Sequence, residues 1–538
     1  MTDTGTLNFL WSQAMVAGFV AAGIDQAVIS PGSRSTPLAL AMLRQAGLSC
    51  TIAVDERSAA FFALGQAKAS RRPTIVLATS GSAPANWLPA VVEASQAGVP
   101  LILLSADRPP ELQDCGANQT IDQLTLFGSL VRARHALGTP TPDFDPAYLH
   151  RLAARVCAQS QWPHPGPVHI NQPFREPLVP LGNPPALPLP LPVRIGAPES
   201  LPAADDIRSL AQAIAGKPGV IVVGELPRQH GFAEAVGALA AQLNCPILAE
   251  PLSNLRYGAH SQAQLCVRYN LWLADADVAA GLRPEWILRF GAFPVCRHLQ
   301  NYVASCTGSH ALVDPWSRWS DPTHRLSHLL HADPVAACKT LTAAAPTPAP
   351  DNWLRRFQEI EASFKSAGDD SHLAILLAEA PPETPLFIGN SLAIRQLDSY
   401  SGSGDKPLYF YGNRGASGID GNVSTALGIA ATHGRVIALL GDLTCQHDIG
   451  GLALAKGRDA IVVVVNNGGG RIFDHLPQAG LPEFEQGWRT PQQIGFEHAA
   501  RCFGLGYAQA DDNETFREVL RQAIRSGGPQ LIELLGTD

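Results

Sequence analysis

The length, composition and charge of the chain exclude several classes of protein. At 538 residues it is too long for one hydrophobic core, and 46% apolar against 16% charged residues excludes a disordered chain. A net charge of -8 over this length gives no reason to expect nucleic acid or an anionic membrane as a partner. The ten cysteines lack the spacing of a zinc site or a disulfide framework, and no apolar run is long enough for integral membrane contact, so we expect a cytoplasmic protein.

Two proline-rich stretches divide the chain into three predicted domains. Residues 179–202 and 343–352 are unsuited to a helix or a central strand, because proline lacks the backbone N–H that those structures use. The segments 1–178, 203–342 and 353–538 each show strand-then-helix patterning. The sequence therefore predicts an α/β fold of three domains, with mainly parallel sheets flanked by helices.

The first domain begins with a predicted strand that opens into a polar loop. Ala27–Ser30 reads as a strand followed by PGSRSTP, which places Ser33 and Arg34 at the edge where ligands of open α/β sheets bind. A second predicted strand, Cys50–Asp55, runs straight into a helix that begins at Glu56. Glu56 is then a carboxylate at the same edge. Taken alone, it fits equally well as a favourable partner of the helix dipole.

Two more loops of the first domain follow apolar runs. The run TIVLA precedes Thr79, Ser80 and Gly81, and the run PLILLS precedes the loop that contains Arg108. Because the carboxyl ends of parallel strands share one edge, four polar loops are expected there.

The segment from Gly441 to Asn467 predicts a cation site. An apolar run ends at Gly441 and Asp442, and a second one, Ile461–Val465, leads to Asn467, as in a βαβ unit. Such a unit brings Asp442 and Asn467 to the same edge, where carboxylate and amide oxygens suit Mg²⁺. The alternative is an ordinary βαβ unit with an Asp helix cap and an Asn turn.

Several longer strings carry a resemblance to a known family. They are SPGSRSTPLALA, VDERSAAFFALGQAKAS, ATSGSAPANWLPAVVEAS, SADRPPELQDCGANQTI, GNRGASGIDG and NNGGGRIF. From about residue 10 to the C-terminus the chain resembles the MenD family of thiamine diphosphate (ThDP)-dependent synthases. One departure is Leu443, where many ThDP enzymes have a third glycine.

The resemblance implies both a reaction and an architecture. The reaction is decarboxylation of 2-oxoglutarate and addition of the resulting succinyl carbanion equivalent to isochorismate. The products are 2-succinyl-5-enolpyruvyl-6-hydroxy-3-cyclohexene-1-carboxylate and CO₂, in menaquinone or phylloquinone biosynthesis. The three domains become a pyrimidine-binding domain, a central transhydrogenase-like domain and a diphosphate-binding domain. Active sites lie between the subunits of a homodimer or homotetramer.

The resemblance also implies residues that bind the cofactor. Glu56 corresponds to the carboxylate that hydrogen-bonds the cofactor's N1′, and Ile419 to the apolar residue between its two rings. The cofactor-binding set is Thr79, Gly81, Gly389, Asn390, Ser391, Gly418, Ile419, Gly441, Asp442, Leu443 and Asn467. Asp442, Asn467 and the carbonyl of Gly469 correspond to ligands of Mg²⁺, with Mn²⁺ as an alternative metal.

Arginines dominate the implied substrate-binding set. Both substrates are dicarboxylates, and fixed cations with bidentate geometry favour Arg over Lys. The set is Ser33, Arg34, Arg108, Gln119, Arg297, Arg395, Arg414 and Leu476. Arg297 stands where relatives can carry lysine, and His298 replaces a neighbouring basic residue. Residues 472–476 are expected to close over the site.

Three other functions compete with this interpretation. Another ThDP-dependent 2-oxo acid decarboxylase or carboligase, such as an acetolactate-synthase-like enzyme, needs a small apolar pocket, against which the arginine set argues. A non-catalytic ThDP-fold binding protein has no need of both Glu56 and the metal pair. A Rossmann nucleotide-binding protein requires GxGxxG after the first strand, where this chain has PGSRSTP.

Overall fold

The computed structural model describes residues 3–184, 187, 189–196, 198–316, 318–366 and 368–536. They form three α/β units, each built on a six-stranded sheet whose neighbouring strands are all parallel. Parallel strands are covered on both faces, which explains the continuous apolar runs in the sequence. The predicted fold class of three α/β domains with mainly parallel sheets is confirmed.

The first unit is a sheet between two layers of helices. Its strands are β1 (Gln26–Ile29), β2 (Ser49–Ile52), β3 (Thr74–Ala78), β4 (Leu101–Asp107), β5 (Ala133–Ala136) and β6 (Val168–Pro173). Its helices are α1 (Thr4–Ala21), α2 (Thr36–Arg44), α3 (Glu56–Ser70), α4 (Ser82–Ala85), α5 (Leu88–Ala97) and α6 (Pro146–Gln161). The strand order is β2-β1-β3-β4-β6-β5. Helices α1, α2 and α6 pack on one face, and α3 and α5 on the other.

The second unit has its own core and its own strand order. Its strands are β7 (Gly219–Val223), β8 (Ile247–Ala249), β9 (Leu265–Cys266), β10 (Trp286–Phe290), β11 (Ser309–Val313) and β12 (His328–Leu330). Its helices are α7 (Ala204–Ile214), α8 (Phe232–Leu243), α9 (Tyr269–Trp272), α10 (Ala276–Gly281), α11 (Arg297–Ser305), α12 (Pro334–Ala343) and α13 (Asn352–Ser363). The order is β12-β11-β10-β7-β8-β9.

The third unit repeats the strand order of the first. Its strands are β13 (Pro385–Ile388), β14 (Tyr409–Tyr411), β15 (Arg435–Gly441), β16 (Asp459–Asn466), β17 (Gly506–Ala510) and β18 (Pro529–Leu535). Its helices are α14 (His372–Glu379), α15 (Leu392–Tyr400), α16 (Asn422–His433), α17 (Asp442–His447), α18 (Phe496–Phe503) and α19 (Asn513–Ser526). The order β14-β13-β15-β16-β18-β17 matches that of the first sheet, strand for strand. The two units therefore share one topology.

Short 3₁₀ and π-helical segments join some of these elements. The 3₁₀ segments are Pro110–Leu112, Gly128–Leu130, Pro251–Ser253, Ile449–Ala455, Arg471–His475 and Pro477–Gly480, and Glu485–Arg489 is a π-helical turn. Within the described residues, none of the helices is both long and apolar enough to cross a membrane.

The first and third units touch through α3 and α16. A Cβ on Gly65 would lie 2.0 Å from the carbonyl oxygen of Thr425, and one on Gly428 would lie 2.0 Å from that of Phe62. These two glycines therefore allow the helix backbones to meet. Because α3 begins at Glu56, this contact fixes the helix that carries the predicted catalytic carboxylate.

The two predicted connectors differ in the structure. Those residues of 179–202 that are described form neither helix nor strand; residues 185, 186, 188 and 197 lie outside the described part. The second connector separates α12 from α13, but Trp353 and Phe357 of α13 are buried in the core of the second unit. That core therefore extends past the predicted start of the third domain at residue 353. Proline interrupts secondary structure there without ending the core.

Candidate active site

The loops after β1 and β3 meet at the carboxyl edge of the first sheet. A Cβ on Gly32 would lie 2.4 Å from the Cβ of Thr79, so only glycine fits between these loops. The buried Arg34 guanidinium donates to the Phe174 carbonyl oxygen at 3.0 Å and to the Glu176 carboxylate at 2.8 Å. Arg34 is thus already paired by the protein itself.

Arg108 joins this edge from the end of β4. Its guanidinium contacts the Ser80 hydroxyl and donates to the Gln119 carbonyl oxygen at 3.0 Å. The Gln119 amide in turn donates to the Ser80 carbonyl oxygen at 2.7 Å. Burial lowers the pKa of Arg108, and the charge of Arg34 lowers it further. With the exposed Ser33, this edge unites four predicted substrate residues around two nearby cations.

A buried polar network supports the same loops. The Gly81 N–H donates to the Gln123 side-chain oxygen at 2.8 Å, and the Gln123 amide donates to the Asn171 side-chain oxygen at 2.8 Å. Asn171 donates to the Asp107 carboxylate at 2.8 Å. Gln123 was not predicted from the sequence, since a glutamine in a loop gives no local sign that it will be buried.

Glu56 is the first residue of α3, as predicted. The strand before it ends at Ile52 and not at Asp55, because the Asp55 carboxylate caps the helix by accepting from the N–H groups of Arg57 at 2.8 Å and Ser58 at 3.2 Å. Glu56 is therefore free of the capping role. Its side chain is half-buried, so this chain alone does not enclose it, and nearby Val54 is 83% exposed.

At the third sheet, Asn390 organises the loops after β13 and β14. Its amide donates to the carbonyl oxygens of Asn413 at 2.8 Å and Gly418 at 2.6 Å. Its side-chain oxygen accepts from the Arg414 guanidinium at 2.6 Å. Asn390 therefore fixes both the glycine-rich loop and the arginine within it.

Arg395 lies near Arg414. It donates to the carbonyl oxygen of Ser391, four residues earlier, at 2.7 Å. Burial lowers the pKa of Arg395; the nearby Cys296 opposes this shift, and the charge of Arg414 adds to it. Because Arg395 donates to Ser391 and Arg414 to the adjacent Asn390, two predicted substrate arginines, from α15 and from the glycine-rich loop, lie at one position of this edge.

Asp442 and Gly469 meet at the ends of β15 and β16. The buried Asp442 carboxylate accepts from the N–H groups of Leu443 and Gly469, both at 2.7 Å. Burial raises the pKa of Asp442, and these N–H groups oppose the shift. Gly441 pairs with Val465 in the parallel ladder, so the two strands of the predicted βαβ unit are adjacent and end at the same edge.

The oxygen atoms available at this edge suit a hard cation that is bound together with a further oxygen-rich ligand. Among the described residues, no group of three or more His, Cys, Asp and Glu side chains could hold a metal. One carboxylate, the Asn467 amide and a backbone carbonyl leave several coordination positions of Mg²⁺ to other oxygens, such as those of a diphosphate. The residues present therefore fit the predicted metal.

The remaining predicted third-unit residues lie around these groups. Gly389 directly follows β13, and its N–H donates to the Leu439 carbonyl oxygen at 2.8 Å. Gly418 and Ile419 are half-buried in the glycine-rich loop, and Leu476 is 38% exposed just after the 3₁₀ segment Arg471–His475.

Arg297 is the least integrated of the predicted residues. It is exposed at the start of α11, next to His298, whose Nδ1 lies 2.9 Å from the Asn270 carbonyl oxygen. Val295, two residues before Arg297, lines a small cavity together with Arg414. The segment therefore approaches the arginine pair, while the Arg297 side chain is exposed to solvent.

Buried charges that the sequence did not predict support the arginine pair. Arg256 of the second unit is fully buried and donates to the Asp398 carboxylate at 2.6 Å and to the Asp398 carbonyl oxygen at 2.9 Å. It thereby holds α15, which carries Arg395. Glu250 accepts from the Val295 N–H at 2.6 Å, and burial and the charge of Asp398 raise its pKa.

A cavity of about 40 Å³ lies beside Arg414, between the second and third units. Its lining includes Glu225, Glu250 and Asp398. It has room for a few water molecules and is too small for a dicarboxylate.

Comparison with known proteins identifies the family. Residues 11–126 match the family described as thiamine pyrophosphate enzyme, N-terminal TPP binding domain, and residues 398–534 match the corresponding C-terminal TPP binding domain. Residues 199–380 match the middle domain of thiamine pyrophosphate enzymes. The chain is 61% identical over 534 residues to the 2-succinyl-5-enolpyruvyl-6-hydroxy-3-cyclohexene-1-carboxylate synthase of Dechloromonas aromatica, covering 99% of each chain. The chain belongs to this synthase family.

More distant relatives support the same family assignment. The synthase of the same name from Geobacillus thermodenitrificans is 41% identical, over 97% of this chain and 92% of its own length. The one from Haloarcula marismortui is 39% identical, over 98% of this chain and 95% of its own length. Benzoylformate decarboxylase from Polynucleobacter necessarius superposes with a TM-score of 0.72 at 16% identity, covering 98% of both chains, which supports the fold. The predicted family and its ThDP cofactor are therefore confirmed.

Proposed function

We propose that this protein is a ThDP-dependent synthase that decarboxylates 2-oxoglutarate and adds the remaining succinyl unit to isochorismate. The products are 2-succinyl-5-enolpyruvyl-6-hydroxy-3-cyclohexene-1-carboxylate and CO₂, in menaquinone or phylloquinone biosynthesis. The observation that carries this proposal is that Arg414 and Arg395 donate to the consecutive residues Asn390 and Ser391, at the carboxyl edge of the sheet whose third strand in sequence leads to Asp442. Two fixed guanidinium groups beside a cofactor site suit dicarboxylate substrates.

When bound, ThDP supplies a thiazolium ring that takes up the electron pair released when CO₂ leaves. Glu56 would share a proton with N1′ of the cofactor's pyrimidine ring and so favour its imino form. Ile419 would pack between the two rings. Backbone groups of Gly389, Asn390 and Ser391 would face the diphosphate, with the N–H groups at the start of α15 favouring an anion.

Asp442, Asn467 and the carbonyl of Gly469 would hold Mg²⁺, or Mn²⁺ in its place. In support of this role, the Asp442 carboxylate is buried and already lies 2.7 Å from the Gly469 N–H. The residues supply oxygen ligands of the type that Mg²⁺ prefers.

The arginines would orient the substrate carboxylates. Arg395 and Arg414 would form the principal pair. Arg34 and Arg108, with Ser33 and Gln119, would contribute from the first unit. Arg297 and Leu476 are further proposed contacts, with Leu476 in the segment that would close over the site.

A second copy of the chain would complete the site. Glu56 is half-buried in this chain, and the neighbouring Ile52 and Val54 are 50% and 83% exposed. An apolar surface next to a catalytic carboxylate is more stable when another subunit covers it. We therefore propose a homodimer or homotetramer with active sites between subunits.

The proposed function is tested with purified protein, ThDP and Mg²⁺ against a panel of 2-oxo acids, with and without isochorismate. We expect 2-oxoglutarate to be the preferred donor and to give the synthase product only when isochorismate is present. Preference for pyruvate, or the absence of product from isochorismate, would favour the general carboligase alternative.

A further inference from the structure

Glu93 is a buried carboxylate that binds a loop of another unit. It lies in α5 of the first unit and is 3% exposed. One carboxylate oxygen accepts from the N–H of Gly415 at 2.9 Å, and the other accepts from the N–H of Ala416 at 2.6 Å. Burying a carboxylate is costly unless it is hydrogen-bonded, so these two bonds strongly favour the observed position of the loop.

Lys68 forms a second tether to the same loop. Its ammonium group lies 3.4 Å from the Glu93 carboxylate and donates to the carbonyl oxygen of Gly412. Both side chains are nearly inaccessible to solvent, at 6% for Lys68 and 4% for Glu93. The loop is therefore bound on both sides of residue 414.

The loop backbone also packs directly on α5. A Cβ on Gly415 would lie 2.6 Å from the Glu93 carbonyl oxygen and 2.7 Å from the Ala97 nitrogen. A glycine at 415 lets the loop approach closely enough for its N–H groups to reach the carboxylate. Arg414, the preceding residue, points instead to the side-chain oxygen of Asn390.

We propose that Glu93, assisted by Lys68, is a positioning residue that fixes Arg414 for substrate binding. Its kinetic consequence rests on the proposed function of Arg414. Glu93→Gln retains the volume of the side chain but turns an NH₂ group toward one of the two loop N–H groups. The loop then loses one acceptor and moves, and Arg414 moves with it.

The first test measures the loop in the protein without cofactor. Hydrogen exchange of a peptide spanning 412–422 should be slow in the wild type, because Glu93 accepts from two of its amides. Glu93→Gln and Lys68→Met should each accelerate exchange in this peptide, on the order of tenfold or more. Unchanged exchange in both variants would overturn the proposal whatever the enzyme's activity.

Glu361→Gln is the matched control. The Glu361 carboxylate likewise accepts from two consecutive N–H groups, those of Val267 and Arg268, both at 2.9 Å, and faces the Arg268 guanidinium at 3.7 Å. All of these groups belong to the second unit and its α13. This variant should leave the exchange of residues 412–422 and the kinetic constants unchanged.

The second test is a double-mutant cycle with Arg414→Ala. Glu93→Gln alone should lower kcat/KM on the order of tenfold, mainly for the substrate whose KM Arg414→Ala raises. In the Arg414→Ala background the same change should cost less than about twofold, since its effect passes through Arg414. Equal losses in both backgrounds would overturn the positioning role.

The two tests separate this inference from the proposed function. If Arg414→Ala retains full efficiency, the substrate role of Arg414 fails, and the positioning role fails with it. The exchange data alone then decide whether Glu93 holds the loop.

Discussion

The first and third sheets have the same strand order but carry different chemistry at their carboxyl edges. After the third strand of the first sheet come Ser80 and Gly81, which bind Arg108 and Gln123. After the third strand of the last sheet comes Asp442, a buried carboxylate facing backbone N–H groups. One topology thus presents a pair of cations, Arg34 and Arg108, in the first unit and the buried Asp442 carboxylate, a proposed metal ligand, in the third. The fold fixes where the loops lie, and the loop residues decide what they bind.

The arginines of the two edges differ in how many of their hydrogen-bond donors already have an acceptor within the protein. Arg34 donates to a carboxylate and a carbonyl oxygen, and Arg108 to a hydroxyl and a carbonyl oxygen. The Arg414 side chain donates to Asn390, and its buried Nε has no acceptor among the described residues. A buried donor without a partner is costly, so Arg414 at the third edge gains more from binding a substrate anion than the arginines of the first edge do.

The largest expected effect is at Glu56. Glu56→Gln should bind ThDP but lose C2-proton exchange by a factor on the order of 10² to 10⁴, because the amide cannot share a proton with N1′. Deuterium exchange followed by NMR measures this. Asp55→Asn, which alters the neighbouring helix cap, should exchange normally. Exchange at the wild-type rate in Glu56→Gln would remove Glu56 from the mechanism.

The second largest effect is expected at Arg395 and Arg414. Replacing Arg395 or Arg414 by Ala should cost about 2 to 4 kcal/mol in kcat/KM, or roughly 30- to 1000-fold, because a substrate carboxylate loses a charge-assisted contact. ThDP affinity should hardly change. Lys at either position should recover only part of the loss, since it lacks the planar fork. Kinetics that vary each substrate separately show which carboxylate each arginine binds; near-normal efficiency of both Ala variants contradicts the dicarboxylate site.

A smaller effect is expected at the proposed metal ligand Asp442. Asp442→Ala should preserve the fold and weaken Mg²⁺-dependent ThDP binding on the order of 10- to 100-fold, through loss of an oxygen ligand. Calorimetry with and without Mg²⁺ measures this, and circular dichroism checks the fold. The placement of the metal is wrong if the variant binds ThDP as tightly as the wild type.

The smallest effect is expected at Glu176, the partner of Arg34. The Glu176 side chain is 70% exposed, and exposed ion pairs contribute less than about 1 kcal/mol. Glu176→Gln keeps an acceptor for Arg34 and should change kcat/KM by less than about threefold. A loss of more than about threefold in steady-state kinetics would show that substrate binding at the first edge depends on this ion pair.

The sequence predicted the strands and their polar loops well, because strands buried on both faces are apolar at consecutive positions. Glu56, Arg108 and Asp442 are all at strand-to-loop or helix-start positions that such runs reveal. The shared strand order of the first and third units was not predictable, since the sequence shows no repeat.

Contacts between units could not be predicted either. The pairing of Glu93 with Gly415 joins residues 322 positions apart, and neither shows its partner locally. The one available signal was the single charged residue in the helix LPAVVEASQA. The core of the second unit was underestimated for a related reason: prolines at 346–350 mark the end of a helix but do not show where Trp353 packs.

The most direct test of the central claim, that the first edge of one chain completes the third edge of another, is complementation between inactive variants. Glu56→Gln and Asp442→Ala chains with different tags are co-expressed, and mixed oligomers are purified on both tags in turn. A mixed dimer contains one site with both native residues, so we predict about half of the wild-type activity per oligomer. Activity no higher than that of either variant alone would place the whole site within one chain and contradict the account.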